Sequence, residues 1–191
     1  MPAGCLIITE ADKEGGRGKE MISDFLLIQK IRNGDNCAGN EFVKKYYPLI
    51  YQYCFLHIHD RDCAEDMAQE TFVRFFEAVM NRTDIAKAKS YLYRVAGNTV
   101  KNYYRKKKEL LLEKLPDTEE NNAADIEVRL DIERAVARLP DEIREITILF
   151  FFQGLKQKDI SDLLGIKLSL VKYRVSKAKE LLSEELEVGT Q

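Results

Sequence analysis

Gln153-Gly154-Leu155-Lys156-Gln157-Lys158-Asp159-Ile160-Ser161-Asp162-Leu163-Leu164-Gly165-Ile166 is the stretch whose reading decides the fold. Ile160, Leu163 and Leu164 recur at helical spacing and stop at Gly165, a residue suited to a tight turn. Ser169 follows where a side-chain oxygen can cap a second helix. Ile160, Leu163, Leu164, Ile166, Val171 and Val175 then have the spacings of one compact core, and small Ser161 permits close approach of two helices. The pattern is a helix-turn-helix, set in a series of helices near 127–138, 141–153, 156–164 and 169–186.

The second helix of this motif has a basic exposed side. Lys167, Lys172, Arg174, Lys177 and Lys179 fall within 13 residues that contain no acid. Such segregation suits a helix docked on phosphates and groove edges. An ordinary amphipathic helix with a solvated face would show the charge run too, but not the turn, the cap and the core spacing together. Leu170 and Tyr173, lying among the bases, could meet thymine methyl groups.

Working toward the N-terminus, residues 109–126 open an acidic stretch in which Glu109, Glu113, Asp117, Glu119, Glu120, Asp125 and Glu127 face a single base, Lys114. Pro116 and Asn121-Asn122 mark this stretch as a flexible linker, able to span at most about 60 Å when extended. Before it, helical periodicity predicts helices from Ser23 to Gly34, over 38–57 with a kink at Pro48, over 62–80 and over 87–112. Residues 1–20, with Gly4, Gly15, Gly16 and Gly18 among charges, read as a disordered extension, and 187–191 as a tail. No segment alternates as a strand does. The expectation is an all-α protein of two small helical domains, 21–108 and 127–186, joined by the acidic linker.

The charge pattern of the first domain is as pronounced. Ile85 to Lys108 holds eight bases (Lys87, Lys89, Arg94, Lys101, Arg105, Lys106, Lys107, Lys108), no acid, and interleaved Tyr91, Tyr93, Tyr103 and Tyr104. Cations beside rings suit unpaired DNA, because cations hold the backbone while rings stack on bases. The plainer reading puts the tyrosines in the core and the lysines in solvent. The preceding segment, Asp60 to Glu77, has six acids and two bases and would be repelled by DNA, so it suits a protein partner. Since the whole 191-residue chain has a net charge of only -2, any nucleic-acid surface must arise from this local segregation.

Asp62-Cys63-Ala64-Glu65-Asp66-Met67-Ala68-Gln69-Glu70-Thr71-Phe72 resembles the core-polymerase-binding motif of extracytoplasmic-function sigma factors, members of the sigma-70 family. Ser90-Tyr91-Leu92-Tyr93-Arg94-Val95-Ala96-Gly97-Asn98 is similar to that family's segment for opening and reading the −10 element. Leu139-Pro140-Asp141-Glu142-Ile143-Arg144 with the helix-turn-helix resembles its −35-reading domain. The resemblance implies that Asp62, Glu65, Asp66, Gln69, Glu70 and Phe72 meet the β and β′ subunits of bacterial RNA polymerase. It implies that Tyr91, Arg94, Asn98, Lys101, Asn102, Tyr104, Arg105 and Lys106 hold the melted −10 strand, and that Lys167, Ser169, Leu170, Lys172, Tyr173, Arg174 and Lys177 contact the −35 element of promoter DNA. An anti-sigma protein is a further implied partner, and a monomer within the holoenzyme the implied assembly. Tyr91 stands where tryptophan is common in the family, Gly97 where a base is common, and Leu170 and Tyr173 where Thr and Ser are common.

No glycine-rich phosphate loop, metal-ligand motif or nucleophile beside a base is present, so a non-enzymatic protein without cofactor or small-molecule substrate is expected. With no apolar run of about 18 residues and four cysteines in no disulfide framework, the expected location is the cytoplasm. Two other readings stay open at this point. Cys54, His57, His59 and Cys63 are close enough in sequence to suggest zinc, though their spacing fits no standard pattern. A one-component helix-turn-helix regulator would share the C-terminal motif but would need a ligand pocket in place of the Asp62–Phe72 segment.

Overall fold

The computed structural model describes residues 17–81, 87–113 and 127–188; side chains are described within 24–81, 87–109 and 132–184. All regular structure among them is helical: α1 (Arg17–Arg32), α2 (Asn36–Ile58), α3 (Arg61–Asn81), α4 (Ala88–Glu113), α5 (Glu127–Arg138), α6 (Asp141–Thr147), α7 (Gln157–Leu164) and α8 (Leu168–Val188). α1 takes in residues 17–20, which the sequence assigned to a disordered extension, while 1–16 lie outside the described residues. α4 likewise runs five residues into the expected linker, α8 runs to Val188, and 114–126 are outside the described residues.

The N-terminal unit packs α1 to α4 around an aromatic core. Gly34, at φ 83°, turns the chain between α1 and α2, and the Asp35 carboxylate caps α2 by accepting from the backbone N–H groups of Cys37 (2.9 Å) and Ala38 (3.2 Å). α2 continues through Pro48 as one helix. Asp24 of α1, itself buried, accepts from Tyr46 Oη (2.5 Å) and Lys45 Nζ (2.8 Å) of α2, so its charge is paired where water is excluded. Phe42 of α2 stacks on Phe75 of α3 at 4.9 Å, both rings fully buried. Removing either ring would cost about 3–5 kcal/mol.

The C-terminal unit is built on aliphatic side chains, with Val136, Ile146, Ile148, Leu149, Ile160, Val171 and Val175 buried. The Leu139–Arg144 stretch has a structural role: the Arg144 guanidinium donates to the carbonyls of Val136, Ala137 and Leu139, satisfying groups that α5 leaves open at its C-terminus. The segment expected as one helix over 141–153 is divided, because α6 gives way to a π-helical turn, Ile148–Phe152, closed by Gln153 N donating to Ile148 O at 3.0 Å. Gly165 ends α7 at φ 67°, and the Ser161 hydroxyl donates to the Ile166 carbonyl at 2.6 Å, fixing the turn of the helix-turn-helix. The buried clusters of the two units are continuous, so in this conformation they pack as one body.

Candidate nucleic-acid interface

α3 presents the acidic surface. Asp62, Glu65, Asp66 and Gln69 are exposed, and Glu70 is half-buried in an ion pair with Arg74 at 2.6 Å. Positions 62, 66, 69 and 70 share a helical face, and Val73 extends it, 58% exposed. The sequence reading passed over Val73, although a β-branched apolar residue three and four places after Glu70 and Gln69 was the available signal. Phe72 points the other way. It is 5% exposed, stacked on Tyr47 at 6.1 Å, and so supports the surface from beneath.

α4 places Arg94, Asn98, Lys101 and Arg105 in an exposed row at spacings of four, three and four. Asn102 and Lys106 occupy a neighbouring face; with Met67, Glu70, Tyr103 and Lys107 they line a shallow cleft of about 230 Å³ between α3 and α4. The four tyrosines separate. Tyr93 is buried, Tyr91 is half-buried beside Phe75 at 6.1 Å, Tyr103 places its hydroxyl 3.5 Å from Cys63 Sγ, and Tyr104 is 45% exposed with its hydroxyl donating to the His57 carbonyl. The structure therefore brings Tyr104 to the surface row and assigns Tyr93 to the core.

Lys167, just before α8, and Ser169, Leu170, Lys172 and Tyr173 on it are exposed, Tyr173 by 64%. The helix begins at Leu168, with the Lys167 carbonyl accepting from Leu170 N (2.9 Å) and Val171 N (3.1 Å), so Ser169 lies within the first turn and is not the cap. Arg174 turns back to Glu142 of α6, its side chain only 16% exposed. Lys177 pairs with Glu180 at 2.8 Å, and that carboxylate holds its ammonium pKa above the ordinary value. The basic stretch read from the sequence thus resolves into a face led by Lys167, Lys172, Leu170 and Tyr173.

The four residues considered for zinc go to different places. Cys54 is buried, and burial pushes its thiol up to about 12. Cys63 meets Tyr103, His57 lies 3.2 Å from Glu145 Oε2, and exposed His59 closes α2 in the left-handed region at φ 59°. Among the described residues no group of three or more His, Cys, Asp or Glu is placed to hold a metal ion, and no helix is long and apolar enough to cross a membrane.

The sequence matches the family Sigma-70 region 2 over residues 42–109 and the family Sigma-70, region 4 over residues 129–182. RNA polymerase sigma factor SigZ of Bacillus subtilis (strain 168) is 33% identical over 150 residues, covering 75% of this chain and 84% of SigZ. The chain belongs to the sigma-70 family. Within the family it is an extracytoplasmic-function sigma factor: the ECF RNA polymerase sigma factor SigW of the same organism is 28% identical over 176 residues, covering 83% of this chain and 94% of SigW. The fold is shared with CnrH, solved in complex with the cytosolic domain of CnrY, at a TM-score of 0.70 and 20% identity over 87% of this chain and 98% of that one. As an RNA polymerase sigma factor, the protein acts in transcription initiation. Region 2 corresponds to most of α2 with α3 and α4, region 4 to most of α5 through α8.

Proposed function

We propose that this sigma factor divides its task among three helices. α3 docks on the core polymerase through Asp62, Glu65, Asp66, Gln69 and Glu70, with Val73 as an apolar contact within the same face. α4 holds the separated −10 strand through Arg94, Asn98, Lys101 and Arg105, with Tyr104 offering a ring for stacking. α8 enters the major groove at the −35 element, where Lys167 and Lys172 meet phosphates and Leu170 and Tyr173 meet base edges.

The observation carrying this reading is the sorting of exposed charge: an acidic row on α3 and a basic row on α4, packed side by side yet chemically opposite. An acidic face repels DNA and suits a protein, and the basic row does the reverse. The protein performs no bond chemistry in this scheme, since binding energy alone holds the promoter strands apart and the polymerase makes RNA. It works in the cytoplasm, beside the polymerase. Because CnrH was solved with CnrY, and RpoE of Bartonella quintana with the anti-sigma factor NepR, an inhibitory protein partner belongs to the same proposal.

The test compares two variants on two partners. Asp66→Ala with Gln69→Ala should weaken capture of core polymerase about tenfold or more while sparing promoter DNA binding by region 4, as expected for truncating central interface residues. Lys172→Ala should weaken −35 binding and leave polymerase capture unchanged. Equal losses on both partners for both variants would break the assignment.

A further inference from the structure

Apolar packing holds α8 in place more firmly than it holds the helix's rotation. The inner face is Val171, Val175 and Ala178, all buried and all small, and apolar burial is non-directional. At a helix radius of about 5–6 Å, a rotation of roughly 10° moves an outer atom by about 1 Å. Lysines on flexible stems follow a phosphate through such a shift. A side chain aimed at a base edge does not, because a hydrogen bond keeps its length within about 0.5 Å.

Arg174 supplies a directional contact. It lies between outward Tyr173 and inward Val175, each about 100° away around the helix, so its side chain leaves along the flank. There the guanidinium donates to Glu142 Oε2 of α6, with the arginine side chain only 16% exposed. Guanidinium and carboxylate are planar groups whose pairing fixes orientation as well as distance. Glu142 itself stands on a braced corner. Ile143 N and Arg144 N both donate to the Pro140 carbonyl at 2.8 Å, and Arg144 holds Asp141 at 2.9 Å while tying down the last carbonyls of α5. A line of polar contacts thus runs from the end of α5 through the first turn of α6 to the flank of α8.

The sign of the charge points the same way. Glu142 is 73% exposed on the helix packed beside α8. A carboxylate there repels DNA and neutralises a base of the DNA-facing helix. For affinity alone it is a handicap, whereas for orientation it is the partner that Arg174 requires. We propose that Arg174 is a positioning residue for −35 recognition: paired with Glu142, it sets the rotation of α8 at which Tyr173 and Leu170 meet base edges, and it touches no phosphate itself. The proposal rests on the reading of α8 as the −35 helix.

The test uses the holoenzyme with a promoter that it transcribes in run-off assays, and copies of that promoter changed at single −35 base pairs. Competition binding gives the preference for the original −35 element, and salt dependence reports the phosphate contacts. Glu142→Ala and Arg174→Ala should each lower the preference about fivefold, the low end of what one base contact is worth, and leave the log–log salt slope unchanged. The double variant should be no worse than either alone, since the two residues act as one unit. Arg174→Lys, which keeps an ion pair, should restore most of the preference, and in a Tyr173→Ala background Glu142→Ala should lower it no further. Because Glu142 is largely exposed, its replacement reads the pair even if Arg174→Ala unfolds region 4. Tighter binding by Glu142→Ala, with a slope steeper by about one, would overturn the proposal and make Arg174 a phosphate ligand that Glu142 restrains. Lys172→Ala separates the two levels. If it leaves −35 affinity untouched, the reading of α8 falls and the positioning role with it; if it weakens affinity while Glu142→Ala keeps the full preference, the positioning role alone falls.

Discussion

α4 and α8 carry similar runs of basic residues, but they dispose of them differently. On α4 the charged and amide side chains Arg94, Asn98, Lys101 and Arg105 form one exposed row. On α8 two of the bases are engaged by acids, Arg174 by Glu142 and Lys177 by Glu180, and the outward face mixes Lys167 and Lys172 with Leu170 and Tyr173. The difference matches two tasks. A flexible single strand is held by a line of charge, whereas a duplex groove is read by shape and a few side chains, with charge confined to its flanks. Counting bases in a sequence overstates α8 and describes α4 well.

The largest effect that would break or sharpen this contrast is expected on α4. Replacing Arg94, Lys101 and Arg105 together by alanine should lower the salt dependence of −10 single-strand binding by about 2 log–log units, at roughly 0.7 per phosphate contact. An unchanged slope would remove this row from the DNA. Next, Tyr173→Ala should reduce discrimination among −35 sequences by about 1–3 kcal/mol with little change in salt slope, measured by competition between promoter variants. A uniform loss over all sequences would make Tyr173 a backbone contact. The smallest effect belongs to Lys177→Ala, which should change −35 affinity by less than about twofold because its charge already faces Glu180 in solvent. A loss as large as that of Lys172→Ala would show that the Glu180 pair yields to DNA and that the contrast between the two helices is overstated.

Much of the fold was legible because local signals and tertiary packing agree in it. Gly34 and Gly165 punctuate helices where their positive φ is needed, and the apolar periods of α2, α3 and α7 bury the residues they indicate, such as Phe42, Phe75 and Ile160. Errors arose where the answer depends on rotation about a helix. Adjacent residues differ by about 100° in direction, so Phe72 faces the core although Val73 beside it faces outward, and Arg174 reaches α6 although Tyr173 beside it faces outward. Ile148-Leu149-Phe150-Phe151-Phe152 is apolar throughout, and an unbroken apolar run has no period from which a π-helical turn could be told from an α-helical one. The contact between the two units was invisible for another reason. Glu145 accepts from Tyr53 across 92 residues, Gln153 from Tyr93 across 60 and Asp159 from Lys87 across 72, and nothing local to any of them announces its partner. The Asp62–Phe72 face could be read because its chemistry and its helix are local; this contact could not, because it exists only once both units have folded.

The order of those residues along the chain carries a consequence for the protein as it is made. Helices α1 to α4 are complete by Glu113, whereas Glu145, Gln153 and Asp159 are synthesised later. At about 5–20 residues per second, the ribosome needs a few seconds to cover the intervening stretch. During that interval the nascent N-terminal unit stands with Tyr53, Tyr93 and Lys87 lacking the partners they will meet. The acidic face of α3 is therefore complete on the nascent chain before the helices of the C-terminal unit have been made.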